Sequence, residues 1–443
     1  MQPGRVLATA PSRTRPEGRS EPIHQVSAVP VQAPTPSPPS SAPRKTVLSM
    51  FHTRISAAFL ALATPVALGA MGTLTAAAAV DQRHHTGLQA PVAVSLGDSF
   101  ISGEAGRWWG NADLIAAPFC TRGGTDRAAY RVAAVCRYDP TRVYDGTAVD
   151  RDSPTTTGCH RSDVAEIHGA GQIPLTPVNL ACSGAESRHI LSEPYKENKE
   201  PQARLLQDAA SAQQVKLIVI SIGGNDLNVS GFLRRCTELY MAKAGSCAST
   251  GEGDRMLQQL PQVAANVGKV IDRVRQVMQE AGSAPDAYKL ILQSYPSPVP
   301  PGAKVRDIFP EDGGGKATKR TLAGGCPLWN ADFDLMHDTL APAIDKMLQG
   351  VAERKKVSFL SMLHALEGHA LCENGTRQAG PREDASKLAE EMEWVRYGTA
   401  GMKISQGFQQ ESLHPNAFAQ QYQGRCLADA YQDSSATHVC PPA

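Results

Sequence analysis

The chain has 443 residues, with 44 Lys and Arg against 43 Asp and Glu and a formal net charge of +1. That balance excludes the basic footprint of a nucleic-acid binder and the polybasic patch of a membrane-surface protein. Ten cysteines are present, none in a CxxC pair, which argues against a zinc ribbon or a thioredoxin-like site.

In chain order, residues 1–45 are rich in Pro, Ser and Arg ("PVQAPTPSPPSSAPRK") and nearly free of periodic apolar pattern. Such a composition buries too little surface to offset ordering entropy, and a disordered leader is expected. Residues 46–80 have the layout of a secretory signal. Arg44, Lys45 and Arg54 precede an uncharged run, Ile55 to Val80, that ends in the small residues Ala76 to Ala79. The run is long enough to span a membrane. It is mostly Ala, Gly and Thr, with Pro65, Gly69 and Gly72 inside, so export with removal of the signal is preferred to a retained anchor. All the cysteines follow this segment, and an even count in an exported chain favours disulfides.

Residues 89–443 read as one domain. Five short apolar runs, "VAVSL" (92–96), "VNLAC" (178–182), "KLIVISI" (216–222), "YKLILQSY" (288–295) and "VSFLSM" (357–362), predict buried strands. Their continuous apolarity fits a parallel sheet covered on both faces. Between them "QVAANVGKVIDRVRQVMQEAG" places Val263, Val267, Val270, Ile271 and Val274 on one helical stripe. Further helices are expected in "FDLMHDTLAPAIDKMLQGVAERKK" and "NAFAQQYQGRCLADAYQ". Alternation of strands and helices implies an α/β fold, whose ligands sit beyond the carboxyl ends of the strands. Residues 110–177 and 373 to about 410 lack a clear pattern and read as loop-rich insertions around the substrate site.

Four features fall at strand exits or before a helix: Ser99 in "GDS", Ser183-Gly184, Gly223-Gly224-Asn225-Asp226, and His414 in "ESLHPN". Together they form a kit for acyl transfer. A serine hydroxyl needs a base, for which His414 is the candidate, and the imidazole needs a partner that fixes its tautomer, for which Glu411 is the candidate. A tetrahedral oxyanion needs preset donors, here the N–H groups of Ser99 and Gly184 and the Asn225 amide.

Each block alone is commonplace, but GDS, SG, GGND and HPN in that order resemble the four blocks of the SGNH (GDSL-type) serine hydrolases, over residues 92 to about 433. The resemblance implies a flavodoxin-like three-layer α/β/α sandwich with a five-stranded parallel sheet, and ester hydrolysis without metal or cofactor. It implies Ser99 as nucleophile, His414 as base, and Ser99, Gly184 and Asn225 as the oxyanion hole. The acidic partner usually is Asp; here Glu411 stands at that position, and some members use a backbone carbonyl instead. The cysteines extend the resemblance to secreted actinobacterial lipases and esterases. "CHRS" and "ACSGA" imply a Cys159–Cys182 bridge, and the loop after GGND implies Cys236–Cys247. The "GHALC" segment implies Cys326–Cys372, and elimination leaves Cys120–Cys136 and Cys426–Cys440.

Other signals carry less. His364 and His369 miss the spacing of zinc peptidase motifs, and Cys159 beside His160 reads as a disulfide rather than a ligand. Asp98 and Asp226 are expected to hold loops together. Trp108 and Trp109 are either an acyl or sugar platform or a cap on the core. Three functions are compared: a secreted esterase, lipase or phospholipase A acting on acyl-lipid esters; an acetylxylan-type carbohydrate esterase; and a binding protein that kept the fold. The first is expected, as a monomer without nucleic-acid or metal partners.

Overall fold

The computed structural model describes residues 90–112, 124–133, 135–144, 158–196, 198–311, 319–380, 383–398 and 407–443. The expected leader, the signal segment and Cys120 lie outside these residues. The domain is α/β. Strands β1 (Pro91–Gly97), β4 (Thr176–Asn179), β5 (Gln214–Ser221), β6 (Lys289–Gln293), β7 (Ser358–Ser361) and β8 (Thr437–Val439) form one sheet, while β2 (Ala129–Val132) and β3 (Val135–Tyr138) form a separate antiparallel hairpin. The order is β4-β1-β5-β6-β7-β8, and every neighbouring pair is parallel. The sheet thus has six strands rather than the expected five. The sixth, "THV", is too short and too polar to stand out as an apolar run.

The helices are α1 (Ser99–Ser102), α2 (Ser187–Leu191), α3 (Gln202–Ala212), α4 (Val229–Met241), α5 (Glu252–Glu280), α6 (Lys319–Leu322), α7 (Asn330–Asp334), α8 (Ala341–Lys355) and α9 (Ala417–Gln432). Alternate strand residues feed two cores, because successive side chains leave a strand on opposite faces. Val92, Val94, Leu96, Ile218, Ile220 and Leu292 pack with Leu206 of α3, Val267 and Ile271 of α5 and Leu348 of α8. Ala93, Leu217, Val219, Ile291 and Leu360 pack with Leu427 of α9 and Ile167. This two-faced burial is why the strands read as continuous apolar runs.

The stripe expected on α5 is buried at all five positions, each side chain contributing roughly 1.5–3 kcal/mol. The helix expected over 333–356 is divided. A π-helical turn (Leu335–Leu340) separates α7 from α8, just ahead of Pro342, which has no N–H to continue an i→i−4 ladder.

β1 lies between β4 and β5, so the chain leaves it first to one side and then to the other. That reversal opens a crevice at the carboxyl ends of these three strands. The GDS, SG and GGND blocks are their exits.

Candidate active site

The exit of β1 is fixed before Ser99 is reached. Gly97 has φ 144°, and a Cβ there would stand 2.0 Å from the Ser221 carbonyl oxygen, so only glycine lets β1 and β5 run this close. The Gln202 side chain grips the same residue twice, accepting from Gly97 N–H (2.8 Å) and donating to its carbonyl (2.9 Å). Asp98 then caps α1 by accepting from Phe100 N–H, and Ser99 is the first helical residue, only 7 % exposed. At that position its own N–H has no partner within the helix.

His414 comes from the far end of the chain. Ser412 (φ −61°, ψ 136°) and Leu413 (φ 62°) form a turn closed by His414 N–H on the Glu411 carbonyl (3.3 Å). This is type II geometry with leucine where glycine is usual. Leu413 N–H donates to the Arg396 carbonyl and Arg396 N–H to the His414 carbonyl, clamping the turn from outside. Asn416 caps α9 and also donates to the Glu393 carbonyl.

The turn brings His414 Nε2 to 2.6 Å from Ser99 Oγ and its Nδ1 to 2.9 Å from the Ser412 carbonyl oxygen. A carbonyl only accepts, so Nδ1 carries the proton and Nε2 is left as acceptor for the serine hydroxyl. Burial lowers the His414 pKa below its ordinary value, with the charge of Glu104 pulling the other way. The ring is therefore neutral at neutral pH, the form that takes a proton.

Glu411, expected as the acidic partner, does not meet His414. Its carboxylate, fully buried, accepts from the Trp108 indole N–H (2.9 Å), the Tyr144 hydroxyl (2.5 Å) and Phe408 N–H (2.8 Å). Three donors occupy the group, and the turn presents a backbone oxygen to the imidazole instead. This also resolves Trp108, which is fully buried beneath the Arg396 guanidinium (3.5 Å) and caps the core. Trp109 is half-buried against Phe418 and Arg127.

The remaining blocks stand at neighbouring exits. Gly184 has φ 82°, and a Cβ there would crowd the Tyr195 hydroxyl at 2.8 Å. The loop before it is tied by the Cys159–Cys182 bridge, by Cys182 N–H on the Gly97 carbonyl and by Ser183 N–H on the Cys159 carbonyl. Asn225 donates one amide hydrogen to the Ala185 carbonyl (3.0 Å), which leaves its second N–H for another acceptor. Asp226 accepts from Ser187 N–H (2.9 Å), holding the β5 exit to α2. Bridges also join Cys236 to Cys247, Cys326 to Cys372 and Cys426 to Cys440.

Several participants gave no motif. Gln202 and Tyr295 are lone polar residues in the sequence, and only the fold brings them to the β1 exit. Glu104 and His160 form a fully buried pair (2.5 Å), with His160 stacked on Tyr144. The proximity of His160 pulls the Glu104 pKa down against the opposing effect of burial. His369, set aside as a metal ligand, stacks on Trp394 (4.1 Å) and meets the Met392 carbonyl through Nδ1.

No family model and no curated protein matches the chain. Among solved structures, it is similar to an extracellular lipase from Streptomyces rimosus (18 % identity, TM-score 0.42, covering 78 % of this chain and 100 % of that one). It is also similar to a phospholipase A1 from Streptomyces albidoflavus (16 %, 0.40, 75 % and 94 %). A third similarity is to Est24, a carbohydrate acetylesterase from Sinorhizobium meliloti (12 %, 0.33, 77 % and 97 %).

Proposed function

We propose that the protein is a serine ester hydrolase in which Ser99 is the nucleophile and His414 the general base. The observation that carries this is the 2.6 Å approach of His414 Nε2 to Ser99 Oγ across 315 residues of sequence, with Nδ1 held by the Ser412 carbonyl. Ser99 Oγ attacks the ester carbonyl carbon while its proton passes to Nε2. The resulting oxyanion is held by the N–H groups of Ser99 and Gly184 and the second Asn225 amide hydrogen. His414 then protonates the departing alcohol. In the second half-reaction it takes a proton from water as the water oxygen attacks the acyl carbon. The bond to Ser99 Oγ then breaks with return of the proton from His414 to Oγ, which releases the acid and restores Ser99. The Ser412 carbonyl keeps the ring in the working tautomer and partly stabilises its charged form.

The substrates are carboxylic esters of acyl-lipid type, as for an esterase, lipase or phospholipase A. The carbohydrate alternative drew on a floor of Trp108 and Trp109, of which Trp108 is buried with its N–H spent on Glu411 and Trp109 is half-buried against Phe418 and Arg127. The four cysteine pairs joined among the described residues support an exported protein, and no helix among the described residues is long and apolar enough to cross a membrane.

Purified Ser99→Ala is expected to lose at least about 10³-fold in turnover of a chromogenic short-chain ester. Retained turnover would falsify the assignment. The same pair of proteins, run on short and long acyl esters, a phospholipid and an acetylated xylan, separates the substrate classes.

A further inference from the structure

We propose that Tyr295 is a positioning residue that sets the distance between the two halves of the oxyanion hole. This rests on the serine-hydrolase reading above. The Ser99 N–H belongs to the exit of β1 and the Asn225 amide to the exit of β5. The ladder between these strands ends at Gly97 opposite Ser221, with Asp98 N–H on the Ser221 carbonyl as the last rung. Beyond that rung the two chains diverge into separate turns. The β5 turn is tied to the β4 side through Asn225 with Ala185 and Asp226 with Ser187.

The tie across to the nucleophile turn comes from a third strand. Tyr295, just past the end of β6, donates its hydroxyl to Asp98 Oδ2 (2.5 Å) and accepts from Gly224 N–H (3.1 Å). Asp98 immediately precedes Ser99 and Gly224 immediately precedes Asn225, so one oxygen atom grips the residue before each donor. The direction is fixed by chemistry. A backbone N–H only donates, so the Gly224 bond takes a phenolic lone pair and the phenolic proton turns to the carboxylate. The proximity of Asp98 and burial both hold the Tyr295 hydroxyl in its protonated form. Its ring meets Phe100 edge-on at 5.2 Å, and Phe100 in turn lies 5.0 Å from the His414 ring. The same side chain thus touches the residues flanking the nucleophile on both sides.

Tyr295→Phe removes the hydroxyl and keeps the ring packing. A hole that has lost its spacer binds the ester as before but stabilises the transition state less. In the full chain, kcat for a chromogenic short-chain ester is expected to fall about 10- to 100-fold with KM within about 2-fold. A trifluoromethyl ketone, whose carbonyl carbon Ser99 attacks to leave its oxygen as an anion in the hole, is expected to lose affinity by a similar factor. Wild-type kcat and inhibitor affinity overturn the proposal. So does a lowered Tm with unaltered constants per folded enzyme, which is the mark of a purely structural bond. Ser99→Ala run in parallel separates the two levels. Turnover retained by Ser99→Ala removes the serine-hydrolase reading itself, whereas an inert Ser99→Ala beside a fully active Tyr295→Phe removes only this inference.

Discussion

Glu411 receives hydrogen bonds from the Trp108 indole, the Tyr144 hydroxyl and the Phe408 amide, and all three donors are buried with it. Removing the carboxylate leaves those donors unpaired, at a cost on the order of 1–3 kcal/mol each. Glu411→Ala is therefore expected to lower Tm steeply while kcat, measured on folded protein in the cold, stays within about 10-fold of wild type. A loss of about 10³-fold at unchanged Tm would return Glu411 to the role of acid partner. Ser99 and His414 were legible because each sits inside a short ordered block whose chemistry needs that residue type. The orientation of Glu411 was not. Three residues of spacing put a carboxylate near the histidine, but its direction is decided by the left-handed backbone of Leu413 (φ 62°), which no residue preference announces.

At the level of elements, the strand exits matter more than the strands. The β4 exit hangs on Cys159–Cys182, with Cys182 N–H on the Gly97 carbonyl and Ser183 N–H on the Cys159 carbonyl. The bridge spans 23 residues, for which the loop-entropy account gives about 3 kcal/mol. The double variant Cys159→Ser with Cys182→Ser is expected to lose stability of that order. Its kcat is expected to fall more than its KM rises, because Gly184 loses its anchor. Equal kcat in wild type and double variant would show that the bridge holds the fold and not the site. The four central strands, β1, β5, β6 and β7, were readable because both faces are buried, which forces unbroken apolar runs, whereas β4 at the sheet edge is only partly buried. β8 has three residues, none fully buried, and the β2–β3 hairpin is mostly solvent-exposed. Neither carries the pattern that burial imposes.

For the molecule as a whole, two buried carboxyls link stability to pH. Burial raises Asp98 to about 7 and Glu166 to about 8, against hydrogen bonds from Tyr295 and Gln293 that pull each down. Glu166 lies above its ordinary value of 4.5, so the folded state holds the proton more tightly than the unfolded chain. Its contribution is full below that ordinary value and is lost as pH rises through about 8. Glu166→Gln, neutral at every pH, is expected to raise Tm at pH ~9 by several degrees relative to wild type and to change little at pH ~4. Parallel curves for the two proteins across that interval would remove Glu166 as the source.

The bond between His414 and Ser99 closes a span of 315 residues, and the one between Trp108 and Glu411 a span of 303. Contacts of such separation form late, after the loop entropy of the intervening chain has been overcome. The proposed nucleophile lies near the start of the described residues and its proposed base near their end. A chain that ends before His414 therefore contains Ser99 without the imidazole proposed to activate it. In that reading hydrolytic competence waits until the turn carrying His414 reaches the β1 exit.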